Sequence, residues 1–283
     1  MAKKKNTLTP DVHQLHRALA LANFAASSSE ASTKREKQRV QKIADAGNKA
    51  ALITMAALVG CDTYEPDPSK TTAISYGGAL IKGDETLSLL DESNASAQAN
   101  AIVNSHEAME AFVKRVTAKF MFANRGLIPI NQIDRRKMQG RFGKGAAKEN
   151  TPQYFEQIVQ VLASRNCAPL FAILFKHITG LRTRVANGHF GDHHDIHMAV
   201  EFIRHSKTHA NGTFDSEELK KQPKHTQQIV VSCVGDSVIH RDKRILPSHK
   251  AVHDMLAREA EYCQILYDVI TAAMNMELDY RPN

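Results

Sequence analysis

A chain of 283 residues, 42% hydrophobic and 24% charged, can bury the core of one large or two modest domains, which excludes wholesale disorder. Lys plus Arg (37) exceeds Asp plus Glu (30), a net charge of +7 that favours an acidic partner such as nucleic acid. No apolar run approaches the roughly 18–20 residues that span a bilayer, and the basic start leads into polar sequence rather than a signal-peptide core.

Cys61, Cys167, Cys233 and Cys263 form no CxxC pair. The cysteine spacing therefore predicts a cytoplasmic protein with no zinc ribbon and no disulfide framework; no membrane contact, no cofactor and no bound metal are expected either.

In chain order, residues 13–59 predict helix, rich in Ala, Leu, Lys and Gln and interrupted at Ser27–Ser29. Lys34, Arg35, Lys37, Arg39 and Lys42 give this region a basic face, either solvated or in contact with nucleic acid. Residues 60–95 turn acidic and rich in Pro, Gly and Ser, which predicts a loop-rich connection with a short strand or turn at 73–81. The predicted domain boundary falls there, separating an N-terminal helical region (1–95) from a helical domain (96–283).

Residues 99–124 form the clearest amphipathic helix, with Met109, Phe112, Val113, Val116 and Phe120 at steps of three and four. The basic stretch 125–148 follows, carrying Arg135, Arg136, Lys137, Arg141 and Lys144, with Gly140, Gly143 and Gly145 expected to keep it open. It lacks the spacing of a phosphate-cradling GxxxxGK[ST] loop, so contact with an RNA backbone is the more useful description.

A helix over 152–164 precedes a strongly apolar one over 170–185, which Pro169 opens as a first-turn proline should. A His-rich stretch and a helix over 195–204 come next. Residues 229–234 and 238–245, separated by Gly235-Asp236, predict a small hairpin, and a final helix covers 248–276. Cys167 and Cys263 fall in apolar helices and read as core residues. The fold class is mostly α.

The most specific chemical signal is Leu181-Arg182-Thr183-Arg184-Val185-Ala186-Asn187-Gly188-His189, at the end of the apolar helix. Arg184 and His189 form an Arg-x4-His pair, and Arg182 and His189 an Arg-x6-His pair. A break at Asn187-Gly188 lets the histidine fold back toward an arginine. Such a pair suits phosphodiester cleavage without metal, the imidazole taking the ribose 2′-hydroxyl proton while the guanidinium neutralises the phosphate. The plain alternative is that these cations complement the negative end of the helix dipole.

These residues and the order of elements resemble the HEPN family of small helical domains found in toxin, antiphage and RNA-processing systems, over roughly residues 97–277. Leu181 to Gly188 is similar to the family's LRNRIAHG form, and Glu110-Ala-Phe-Val-Lys114-Arg115 to its Glu-x3-Lys-Arg pattern. The resemblance implies a HEPN-like helical bundle, here with a small β-hairpin insertion and an N-terminal helical region before it. It also implies a metal-independent endoribonuclease acting as a toxin or antiphage defence effector. Two protomers would pair as a homodimer around a shared cleft, with RNA as substrate and a possible partner protein or antitoxin.

Carried over by position, Arg182 or Arg184 stabilises the phosphate, His189 is the base, and Glu110, Lys114 and Arg115 support the cleft. Thr183 stands where the family has Asn, and Asn187 where it has the catalytic His. In the register that starts at Arg184, Val185 takes the Asn position. A catalytically degenerate HEPN that binds RNA or regulates a partner is therefore the second reading. A third uses His189, Asp192, His193, His194, Asp195 and His197 as ligands of a metal-dependent phosphohydrolase, with His177 and Asp215 or Asp236 as loose further candidates.

Overall fold

The computed structural model describes residues 3–45, 59–63, 72–75, 83–126, 135–164, 167–187, 193–209, 216–234 and 247–278. Helix α1 (Thr9–Asp45) is unbroken through the serines that predict an interruption. Mid-helix serine costs only about 0.5 kcal/mol relative to alanine. Here Ser29 donates to Asn94 Oδ1 at 2.9 Å, and Asn94 Nδ2 donates to Glu30 Oε2 at 2.7 Å.

Helix α2 (Gly83–Ala123) begins well inside the segment expected to be loop. Acidic residues there serve the helix pair, since Asp91 takes Lys37 as an ion-pair partner at 2.5 Å. The predicted strand is present but shorter: β2 (Thr72–Ser75) pairs antiparallel with β1 (Val59–Thr63), where sequence predicts none.

The chain divides into two compact units, Ser27–Ala97 and Met1–Ala26 with Gln98–Asn283. Residues 1–26, grouped by sequence with the N-terminal region, thus belong to the larger unit. Leu8, Val12, Leu15 and Leu19 explain why: each is almost wholly buried in its core.

The N-terminus is tied to the last helix, α10 (His249–Ala273). Lys4 N donates to Asn275 O, and Glu277 N donates to Lys4 O, both at 3.0 Å. Asn6 Nδ2 donates to Tyr267 Oη at 2.9 Å and Glu277 O at 2.8 Å, while its Oδ1 accepts from Leu8 N at 2.7 Å.

The remaining helices of the larger unit are α3 (Arg135–Phe142), α4 (Pro152–Leu162), α5 (Ala168–His177), α6 (Leu181–Ala186), α7 (His193–His209), α8 (Ser216–Lys220) and α9 (Lys224–Val234). The mostly α fold is as expected, and the predicted hairpin insertion is not. Its first arm is α9, because Thr226, Ile229 and Val230 recur at helical spacing and are buried. That face overrides the strand preference of Ile229-Val230-Val231. Its second arm lies outside the described residues.

Part of the basic stretch expected to be loop is also helical, as α3 followed by a 3-10 turn over Gly143–Gly145. Buried Gln157 pins that turn, accepting from Ala147 N at 2.8 Å and donating to Gly145 O at 2.9 Å. No described helix is long and apolar enough to cross a membrane.

Candidate functional site

The motif residues occupy a corner rather than the end of one long helix. Pro169 opens α5 as expected, but the helix stops at His177 and Gly180, at φ +79°, starts α6. Only glycine adopts that left-handed conformation without strain, which is why one predicted helix becomes two. Leu181 and Val185 bury one side of α6 and leave Arg182, Thr183 and Arg184 exposed. Asn187 caps the helix through its backbone N–H, which donates to Thr183 O at 3.0 Å.

Arg182 and Arg184 lie two residues apart, roughly 200° around the helix, so they face different directions. Arg182 and Lys176 flank an open hollow of about 470 Å³ whose other walls are Ala168, Phe171, Ala172 and Phe175. An apolar floor beside two cations suits a nucleoside and its phosphate. Arg182, Arg184 and Lys176 form no ion pair among the described residues. His189, the expected base, lies outside the described residues, as does Asp192.

The residues expected to support the cleft serve two different neighbourhoods. Arg115 pairs with Asp11 of α1 at 3.0 Å, and Lys119 reaches the other Asp11 oxygen at 2.5 Å. Lys114 pairs with Glu110 at 3.4 Å, and Glu110 Oε1 turns inward toward His106. Of the basic stretch, Lys137, Arg141 and Lys144 are exposed. Arg141 donates to Gln160 O at 2.9 Å, which holds it against α4. The side chains of Arg135 and Arg136 lie outside the described residues.

Sequence reading missed a buried polar cluster on α2, α7 and α10. His106 is wholly buried, and its Nε2 lies 3.3 Å from Glu201 Oε1 and 3.9 Å from Glu110 Oε1. The rings of His106 and His197 are 5.1 Å apart, and His197 also packs against Phe171. His197, grouped by sequence with the candidate metal ligands between His189 and Asp195, is therefore a core residue, at 2% exposure.

Asp195 is likewise engaged, pairing with His225 Nδ1 at 2.9 Å and accepting the Thr226 hydroxyl at 3.2 Å. The side chains of His193 and His194, and Asp215 and Asp236 entirely, lie outside the described residues.

Titration follows from these surroundings. Burial pushes Glu201 up, but the hydrogen bond with His106 and the charges of Arg204, His106 and His197 outweigh it and hold the carboxyl below its usual range. Glu259 is driven up to about 7 by burial, with His106 and Ser105 pulling the other way. Burial first, then Glu110, raises the Cys167 thiol to about 12, and burial raises Cys263 as well. Both are buried and free, as their apolar settings predict, and neither is a thiolate at neutral pH.

A raised carboxyl contributes stability below its unfolded value and loses it as pH climbs through the folded one. In metal-free protein, Glu259→Gln is expected to be the more stable form at pH 8, by roughly 3 kcal/mol for a fully buried group. The gap should close near pH 5. Urea denaturation at the two pH values measures it, and equal differences at both would contradict the assignment.

Comparison of the chain with protein-family models, curated proteins and solved structures finds no match.

Proposed function

We propose that this chain is a metal-independent endoribonuclease of HEPN type, acting as a toxin or antiphage defence effector, and that α6 carries its active residues. The observation that supports this most is the hollow beside Arg182 and Lys176, an apolar recess whose two cations form no ion pair among the described residues, on the helix that carries Arg184 of the Arg184-x4-His189 motif. A base seats on Phe171 and Phe175 while Arg182 and Lys176 hold a phosphate.

At the adjoining phosphodiester, His189 removes the ribose 2′-hydroxyl proton and that oxygen attacks phosphorus. The 5′-oxygen leaves, taking up a proton from water, and Arg184 neutralises the crowded phosphate. The products are a 2′,3′-cyclic phosphate and a 5′-hydroxyl. A homodimer brings two such corners to one cleft, and an antitoxin-like partner restrains it.

RNA binding is tested by its salt dependence. Each phosphate contact with a single strand contributes about −0.7 to the slope of log affinity against log salt concentration. Lys176→Ala/Arg182→Ala should therefore lower the slope by more than one unit, and Lys137→Ala/Arg141→Ala/Lys144→Ala by up to two. Unchanged slopes in both variants would remove the proposed RNA surface.

Asn187 favours the second reading, a degenerate HEPN that binds RNA or a partner without cutting. It holds the family's histidine position and serves α6 as its cap. Salt-sensitive binding without any product would establish that form.

A further inference from the structure

His106 and Glu110 stand one turn apart on α2, and Glu201 projects from α7, 95 residues beyond His106 in the chain. One ligand atom from each lies within 4.8 Å of the others. Two ligand atoms held about 2.0–2.1 Å from a tetrahedral ion stand roughly 3.3–3.4 Å apart. The His106–Glu201 separation of 3.3 Å is already that edge, and the 3.9 Å to Glu110 closes with a small rotation of its carboxylate.

Two features of the cluster are poorly served by protons alone. Nε2 carries at most one hydrogen, yet two carboxylates converge on it. His106 Nδ1 meets no hydrogen-bond partner among the described residues, and Glu259, 2% exposed, has only His106 and the Ser105 hydroxyl to offset its burial. Buried carboxyl and imidazole groups left in this state are costly, and a cation among them relieves that cost.

The surrounding cations hold the carboxylates in place. Lys114 takes Oε2 of Glu110, leaving Oε1 to face His106, while Arg204 steadies Glu201 at 3.2 Å through the same Oε1 that faces His106, so a bound ion shares that oxygen or takes Oε2. Such outer partners are what orient metal ligands in built sites.

We propose that His106, Glu110 and Glu201 bind one divalent transition-metal ion, clamping α2 to α7. One imidazole and two carboxylates suit Zn²⁺, Fe²⁺ or Mn²⁺. The ion takes no part in the RNA cleavage proposed above; it is a structural site inside the larger unit. Metal binding is read without RNA, so either proposal can fail alone.

The test uses tag-free full-length protein, stripped with a chelator and titrated with Co²⁺ and then Zn²⁺. The expected result is one saturable equivalent, N/O-type Co²⁺ bands displaced by Zn²⁺, and a rise in thermal midpoint on the order of 5 °C at saturating metal. Glu201→Gln and His106→Gln, checked for fold by circular dichroism, should each weaken binding at least 100-fold. His193→Gln/His194→Gln should leave it unchanged.

X-ray absorption of the Zn²⁺-loaded wild type gives a reading that needs no variant to fold: one imidazole with oxygen ligands is expected. Absence of saturable binding overturns the proposal. So does full binding in both core variants, loss in the His193/His194 variant, or a ligand set of three or more imidazoles.

Discussion

Tyr267→Ala is expected to destabilise the larger unit by about 3–5 kcal/mol, the range for removing a large, fully buried aromatic side chain. The ring is wholly enclosed and its hydroxyl holds the N-terminal segment to α10. Asn6 donates to Tyr267 Oη at 2.9 Å, and Thr9 Oγ1 lies 3.2 Å from the same oxygen. Tyr267→Phe keeps the ring and removes those two contacts, while Asn6 Nδ2 keeps Glu277 O, for a loss of about 1 kcal/mol.

Asn6→Ala removes the same bond from the other side and also the support of Leu8 N. The two single changes should therefore combine to less than their sum. Urea unfolding followed by far-UV circular dichroism gives all four stabilities. Additive losses would mean that the N-terminal residues are not held through this contact.

Arg184→Ala/His189→Ala should reduce RNA cleavage to background while leaving the unfolding midpoint unchanged. Removal of a single transition-state donor costs about 10²–10³ in rate, and general acid–base groups are worth about 10²–10⁴. Together they account for nearly all of a metal-free ribonuclease. Stability should not change, because Arg184 is exposed on α6 and that helix is held by Leu181 and Val185 instead. Single variants assayed under single-turnover conditions separate the roles. Arg184→Ala keeps a residual rate, and His189→Ala loses the acidic limb of its pH profile, the fall in rate as the base becomes protonated.

Helical segments with a clean three-to-four repeat were readable from the chain itself. Met109, Phe112, Val113, Val116 and Phe120 are all buried, and Ser248 accepts from Ala251 N at the start of α10 as a capping serine should. The misread elements are those decided by distant partners. Ser29 of α1 is tolerated because Asn94, 65 residues later, meets its hydroxyl. Ile229-Val230-Val231 has a strand's composition, but a buried face and the Asp195–His225 pair make it helix. One glycine at positive φ divides the apolar helix into α5 and α6.

The exposed arginines were legible because their spacing is local. The buried cluster was not: His106-x3-Glu110 and His197-x3-Glu201 look like ordinary helix-surface spacings. Only the packing of α2 against α7 turns them toward each other.

The central claim is metal-free RNA cleavage by the α6 corner, and the chemistry of the product ends tests it most directly. Purified protein, confirmed folded in EDTA buffer, is incubated with total RNA and tRNA beside the Arg184→Ala/His189→Ala variant. Fragments carrying 2′,3′-cyclic phosphate and 5′-hydroxyl ends from the wild type alone are the predicted result. Intact RNA with folded wild type, equal cleavage by the variant, or 3′-hydroxyl ends that require added divalent metal would contradict it.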